Sequence, residues 1–416
     1  MKISIVGLGV GYSLAVSLAA IGIKTVGVDI NPNIVKNPRY DSTIAALRRK
    51  YSKQVKKNLK LTTSYDEIDG SDLVLMVVNT DYKGHTLDIA YVISATKDVL
   101  RRNTGTMAVL STLPYGASKE IAKVIDGKIG YVYIPMMVAQ GNLLETFVKP
   151  AFLAFGAYEE KYAREVEKFY RKWLKALGGK VPETFVVTPE EAELAKLVSN
   201  AFTSTKMTFA NMCGELFESL GLNGERIMKV VSTNPTIGPR FFRPGYAFGG
   251  QCFPRDLDTF ITLMKEAKVE PGILEEVQNY NLIRTHHPLS IYPEMANSET
   301  MILGIAYKSG IADTRFSPSL DLYNELKKKG AKVQAYDSNL EQFGNPKELS
   351  EVRTLVIATN DPENKKIARK LKDRQLVVLD YANMVDEKEA KRNKGWALFK
   401  AGKGWVKRPE MAAVMN

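Results

Sequence analysis

Lys2-Ile3-Ser4-Ile5-Val6-Gly7-Leu8-Gly9-Val10-Gly11 opens the chain and decides how the rest is read. An apolar run of strand length meets three glycines at alternate positions, and a stretch free of Gly and Pro, residues 12–20, follows. Glycines at such a junction let the backbone approach a pyrophosphate, whose charge sits at the N-terminus of the following helix. The pattern then repeats. Apolar runs at residues 25–28, 73–78, 107–110, 131–134 and 151–155 alternate with longer polar stretches, as in βαβ units on a parallel sheet. Asp29 closes the second run, 18 residues after Gly11. An acid there accepts hydrogen bonds from ribose hydroxyls and repels a 2′-phosphate, so NAD is expected over NADP. Gly7, Gly9, Val10, Gly11 and Asp29 are the expected cofactor contacts. Tyr12 stands where the third glycine of G-x-G-x-x-G would fall.

The same grammar returns late in the chain. Gly22-Ile23-Lys24-Thr25-Val26-Gly27-Val28-Asp29 matches Gly330-Ala331-Lys332-Val333-Gln334-Ala335-Tyr336-Asp337 in spacing, each reading as helix stop, strand and terminal Asp. Between the two halves, Thr188-Pro189-Glu190-Glu191 is a capping box with Pro at the first helical position. It opens one long helix to about Leu220, some 50 Å at 1.5 Å per residue. The chain is therefore expected to be α/β, with two Rossmann-like doubly wound domains joined by a central helical domain. The expected boundaries are 1–187 for the NAD-binding domain, 188–295 for the helical dimerisation domain and 296–416 for the C-terminal domain. A homodimer is expected to pack along the long helix.

Composition fits this organisation. The 416 residues are 45% hydrophobic and 25% charged, enough for two or three globular domains. No run approaches the roughly 18 apolar residues of a membrane span, and no signal-peptide pattern follows Met1. No membrane partner is expected. Two distant cysteines, Cys213 and Cys252, make no disulfide framework, which points to a reducing cytoplasm. The net charge of +12 suits anionic ligands. Seven Lys or Arg fall within residues 48–60. They match no nucleic-acid motif and read as a solvated helix face.

Gly245-Tyr246-Ala247-Phe248-Gly249-Gly250-Gln251-Cys252-Phe253-Pro254-Arg255-Asp256 carries the chemistry. The glycines allow close substrate approach. Pro254 suits a first helical turn, so Cys252 sits where backbone N–H groups and the helix dipole stabilise a thiolate. Asp256, four residues on, shares its face. No metal site is expected.

Residues 248–256 resemble the G-F-G-G-[ST]-C-[FL]-x-K-D signature of the UDP-glucose/GDP-mannose dehydrogenase family. Ser111-Thr112-Leu113-Pro114-Tyr115-Gly116 resembles that family's S-T-V-x-x-G turn, and Val78-Asn79-Thr80 its V-x-T strand end. Lys196 and Asn200 resemble its Lys-x-x-x-Asn pair. Gly304-Ile305-Ala306-Tyr307-Lys308 and Asp313-Thr314-Arg315-Phe316-Ser317-Pro318 resemble its third-domain block. The resemblance implies an NAD-dependent nucleotide-sugar 6-dehydrogenase, UDP-glucose-like, with a UDP-sugar as substrate. It implies Cys252 as nucleophile, with Lys196, Asn200, Asp256 and Thr112 as further catalytic residues. It places Thr80, Thr112 and Arg315 on the cofactor, and Lys196, Asn200, Phe241, Gly249, Tyr307 and Lys308 on the substrate. Two hydride transfers through a Cys252 thiohemiacetal and thioester, then hydrolysis, would give the uronate.

The chain departs from that family at Ile134-Pro135-Met136-Met137-Val138-Ala139-Gln140-Gly141, where both glutamates of N-P-E-F-L-[RA]-E-G are lost, to Met136 and Gln140. The first is the family's candidate base for the hydrolytic water. Thr236 replaces an Arg before Ile237-Gly238, and Asp380-Tyr381-Ala382-Asn383 lacks the Arg of D-x-R-N. Three readings stand: a working four-electron dehydrogenase with a different sugar and a substitute base, a paralogue that binds NAD or a nucleotide sugar with impaired turnover, and a two-electron hydroxyacid dehydrogenase. They predict two, near zero and one NADH per substrate.

Overall fold

The computed structural model describes residues 1–138, 140–346, 349–371 and 374–409. Ala139, within the divergent segment 134–141, lies outside them, as do residues 410–416 of the expected C-terminal domain. The chain divides into two compact units, residues 1–199 and 200–416.

The first unit is built on a sheet whose strands are β1 (Lys2–Val6), β2 (Lys24–Val28), β3 (Leu59–Thr62), β4 (Leu73–Met76), β7 (Thr106–Val109), β8 (Tyr131–Tyr133), β9 (Leu153–Gly156) and β10 (Thr184–Val187); β5 (Asp81–Lys83) and β6 (Thr86–Asp88) form a separate antiparallel hairpin. The sheet order is β10-β9-β8-β7-β4-β1-β2-β3. All pairs are parallel except β8 with β9, which meet antiparallel at Tyr133 and Gly156. Strands β1, β4 and β7 are apolar on both faces apart from Lys2, Ser4 and Thr106, because helices cover both sides. Helix Gly11–Ala20 is buried at all ten positions, in keeping with a sequence of small and apolar residues apart from Ser13 and Ser17. The chain reverses its direction of travel across the sheet between β1 and β4. This is the topological switch point at which doubly wound sheets open a crevice beyond their carboxyl ends.

The capping box forms as the sequence predicts. The Thr188 N–H donates to Glu191 Oε2 at 2.7 Å, and the Glu191 N–H donates to Thr188 Oγ1 at 3.3 Å. The helix it opens spans Pro189–Ser219, 31 residues, about 46 Å at 1.5 Å per residue.

The second unit carries helices Gly224–Val231, Cys252–Glu266, Gly272–Thr285 and His287–Ile291 ahead of a second sheet. Its strands are β11 (Thr300–Leu303), β12 (Val333–Tyr336), β13 (Thr354–Ile357), β14 (Leu376–Asp380), β15 (Trp396–Lys400) and β16 (Gly404–Lys407). They run in the order β12-β11-β13-β14-β15-β16, parallel until β16 closes the edge antiparallel to β15. The expected fold class is the observed one: two Rossmann-type sheets and a helical middle. The internal echo is structural too. Gly7 and Gly304 both leave the first strand of their sheet at φ 91°. Each N–H donates at 2.8 Å to the last residue of the neighbouring strand, Val28 O and Tyr336 O respectively.

Candidate active site

In the first unit the crevice residues come from the ends of β1, β2, β4 and β7. A Cβ on Gly7 would stand 2.6 Å from Val77 O, and one on Gly11 would stand 2.8 Å from Ile5 Cγ2, so both positions exclude a side chain. A Cβ on Gly9 would meet nothing within 4 Å, which leaves open space over the turn. No side chain caps helix Gly11–Ala20, and its first turn holds no acid. The uncapped amide end, next to the open space at Gly9, is a fit for a diphosphate. Asp29 is half-buried. Its Oδ2 accepts the Leu8 N–H at 2.8 Å and its Oδ1 the Asn31 N–H at 2.9 Å. These two bonds hold the carboxylate against the glycine turn, and each oxygen retains a lone pair for a ribose hydroxyl. The residues therefore fit NAD.

Thr80 is buried and Thr112 half-buried at the ends of the adjacent strands. Ser111 Oγ donates to Val78 O at 2.7 Å and ties these two strand ends together. Lys196 is buried on the long helix, and its Nζ donates to Met136 O at 2.7 Å. The backbone of residue 136 thus meets the lysine, while the Met136 side chain packs against the apolar core around Ile134 and Leu143. Glu145, the nearest acid downstream, binds Asn142 and Lys149.

In the second unit Cys252 is the first residue of helix Cys252–Glu266, a free and exposed thiol. Pro254 lies in that helix's first turn, where its missing N–H costs nothing. Asp256, one turn on, is fully buried. Its Oδ2 accepts the Asn200 Nδ2–H at 2.6 Å, and its Oδ1 accepts Arg255 Nε–H at 3.0 Å. Gly249 and Gly250 are required by close packing. A Cβ on Gly249 would come within 2.2 Å of Phe316 O, and one on Gly250 within 2.5 Å of the Tyr307 ring. The Gly250 N–H donates to Arg315 O at 3.1 Å, and the Arg315 guanidinium bonds Gln251 Oε1 and grips Asp313 through its Nε at 2.9 Å. Burial pushes the Tyr307 phenol up to about 12, with the Cys252 sulfur and Asp313 adding to the effect. The exposed thiol is thus within electrostatic reach of Tyr307 and Arg315. Phe241 is half-exposed at φ 57° and packs edge-on against Phe253, centroids 5.7 Å apart. Lys308 is exposed.

Three residues to which the sequence reading gave no role stand beside these side chains, Gln251 and Arg255 in the second unit and Glu193 in the first. Arg255 neutralises Asp256, Gln251 engages Arg315, and Glu193 is a wholly buried carboxylate three residues before Lys196. Glu193 was legible as an acid on the apolar face of its helix, beside Ala192 and Leu197. The Arg255–Asp256 pair joins neighbours in sequence and was legible as adjacent opposite charges, whereas the Gln251–Arg315 contact spans 64 positions and leaves no local signal.

A dinucleotide crevice at the switch point of one parallel sheet, with a second Rossmann-type sheet downstream, defines a two-sheet NAD-dependent oxidoreductase. The chain belongs to the UDP-glucose/GDP-mannose dehydrogenase family: it matches that family's NAD binding domain over residues 1–174, its central domain over 190–282 and its UDP binding domain over 301–387. Its relatives include the UDP-N-acetyl-D-mannosamine dehydrogenase of Pyrococcus horikoshii, 26% identical over 93% of this chain and 96% of the relative. The GDP-mannose 6-dehydrogenase of Pseudomonas putida is 27% identical over 82% of each chain. Among solved structures, a UDP-glucose dehydrogenase from Pyrobaculum islandicum superposes with a TM-score of 0.83 at 26% identity, covering 97% of this chain and 98% of that one. The protein is a nucleotide-sugar dehydrogenase of this family, with NAD as cofactor. Among the described residues no helix is long and apolar enough to cross a membrane.

Proposed function

We propose that this protein oxidises the 6-hydroxyl of a UDP-sugar, UDP-glucose-like, to the carboxylate through a covalent thioester on Cys252. One observation carries the reading: an exposed thiol at the first position of a helix, one turn from a buried Asp256–Asn200 pair. NAD supplies the hydride acceptor, two equivalents per sugar. The residues do the rest. Lys196 takes up or stabilises the hydroxyl proton. The Cys252 sulfur adds to the C6 aldehyde, forming a C–S bond while the carbonyl oxygen becomes an oxyanion that Lys196 and Asn200 stabilise. Asp256 acts through Asn200, since it is fully buried and its Oδ2 holds the Asn200 amide. Loss of the second hydride leaves the thioester, and water cleaves the C–S bond to release the acid and the thiol. Tyr307, Lys308, Gly249 and Phe241 hold the nucleotide sugar, and Thr80, Thr112 and Arg315 hold the cofactor. The division into residues 1–187, 188–295 and 296–416 follows these roles.

Met136 sets this chain apart within that chemistry. With a thioether where the family has a carboxylate, the hydrolytic water lacks a base, and general-base assistance is typically worth roughly 10²–10⁴-fold. An acyl-enzyme at Cys252 is therefore expected to accumulate. The test combines NADH counting over a panel of UDP- and GDP-sugars with mass spectrometry of enzyme quenched during turnover. Two NADH per sugar, an adduct at Cys252 and faster release in Met136→Glu are expected. Cys252→Ser retaining the full four-electron reaction would overturn the mechanism. One NADH per substrate would favour a two-electron dehydrogenase instead.

We also propose a homodimer along the long helix. Phe202, Phe209, Met212 and Leu216 are exposed at spacings of seven, three and four, one face of a helix, and exposed Leu220 continues the line. Sedimentation at micromolar concentration is expected to give a dimer, and Phe209→Glu a monomer. A monomeric wild type refutes this.

A further inference from the structure

Glu193 is the buried carboxylate the proposed chemistry leaves unused. It is 0% exposed, in the second turn of the long helix. Its Oε2 accepts the Gly116 N–H and its Oε1 the Ser118 N–H, both at 2.7 Å. Those amides open helix Ala117–Ile125, whose own N-cap residue is Gly116 at φ 84°, with no side chain to offer. A helix N-terminus leaves its first amides unpaired, and here an acid 75 residues away in sequence takes two of them. Ser118 is also fixed from the other side, since its Oγ lies 2.8 Å from Tyr131 Oη. Burial pushes the Glu193 carboxyl up, while Ser118 and the Gly116 amide pull it back.

The geometry has a consequence at both ends of the bond. Gly116 ends the turn 111–116 that carries Thr112, and Lys196 follows Glu193 by three residues on the same helix, so the two side chains emerge about one turn apart. Lys196 is itself held at Met136 O. We propose that Glu193 is a positioning residue of the reaction: its two-pronged bond to Gly116 and Ser118 sets the register between the Thr112 turn and Lys196, and so the place of the cofactor's reactive end relative to the lysine. This rests on the reading of Thr112 and Lys196 given above. A purely stabilising helix cap would also be satisfied by this bond, but it would leave the kinetics of the folded enzyme alone.

Glu193→Gln tests the difference. The amide keeps the shape and replaces one acceptor oxygen by a donor, which faces one of the two N–H groups. The expected result, on protein shown to be folded by circular dichroism, is a fall in kcat and a rise in the KM for NAD, with the KM for the sugar nucleotide within twofold of wild type. Misplacement on the ångström scale costs on the order of 10²-fold in rate, and a 10- to 100-fold loss in kcat/KM for NAD is expected. If Glu193→Gln does not fold, Glu193→Asp, one methylene too short to span both amides, is measured in the same way with the same expectation. A folded variant with a lowered Tm but unchanged kcat and KM values overturns the proposal and leaves Glu193 a structural cap. Lys196→Ala, assayed alongside, separates the two levels. An inactive Lys196→Ala beside a kinetically normal Glu193 variant sinks the positioning role alone, whereas a fully active Lys196→Ala sinks the reading of the site beneath it.

Discussion

At residue 7 and again at residue 304 the chain leaves a parallel strand through a glycine at φ 91°, and in both places an aspartate at the end of the next strand accepts amides from the turn. The two turns part company immediately afterwards. After Gly7 the helix starts at Gly11, and Gly9 faces open space. After Gly304 the helix waits until Pro318, and a Cβ on Gly304 would stand 2.0 Å from Thr359 Oγ1. Each acid also accepts the amide two residues on, Asn31 and Asn339, but Asp29 takes one turn amide and remains half-buried, whereas Asp337 takes two, from Ile305 at 2.9 Å and Ala306 at 2.8 Å, and is 4% exposed. One backbone device thus does two jobs. Where the helix begins at once, the turn presents amides and an acid to a dinucleotide. Where a loop intervenes, the acid braces that loop, and the loop brings Tyr307, Lys308 and Arg315 to the surface.

If that contrast is right, the largest effect on stability belongs to the second turn. Asp337→Ala leaves buried amides without an acceptor, at about 1–3 kcal/mol for each unsatisfied group, so a drop of several degrees in Tm is expected, with NAD affinity unchanged in calorimetry. Gly9→Val inverts the pattern. Its side chain enters open space, so Tm stays put, while the diphosphate loses its close approach and the Kd for NAD rises about tenfold, near 1.4 kcal/mol. Asp29→Ala is smaller still: NAD affinity falls several-fold because the ribose hydroxyls lose an acceptor, and an unmoved affinity would remove Asp29 from the site. Lys308→Ala sharpens the comparison from the loop side. The KM for the sugar nucleotide should rise more than that for NAD, and equal shifts would count against a substrate role for the loop.

What the sequence disclosed depended on range. The strand–turn–helix at residues 2–20, the Thr188/Glu191 capping box and the helical start at Cys252 are local, and all three stand in the structure as expected. Strands β3, β10 and β16 escaped the reading because they lie at or beside sheet edges and are only half-buried, with Lys60 and Lys407 breaking the apolar runs. Strand β15, fully buried, ends in Lys400, whose Nζ reaches Val385 O at 2.9 Å. A buried lysine is legible only once its distant acceptor is known. The same holds at the site. The local pattern named Cys252 and the family resemblance named Lys196 and Asn200, but the Asn200–Asp256 bond, the Gln251–Arg315 bond and the Glu193 cap join residues 56 to 77 positions apart.

Met136 has an effect that reaches past rate. Its carbonyl serves Lys196 while its half-buried side chain packs against the apolar core, so residue 136 offers no group to select water over other nucleophiles. A thioester left waiting partitions by nucleophilicity and concentration. With hydroxylamine or a small primary amine in the buffer, part of the sugar should leave as the hydroxamate or amide of the uronic acid, and the fraction should fall in Met136→Glu. A residue that looks like a loss to hydrolysis would thus widen the range of products the same cysteine can release.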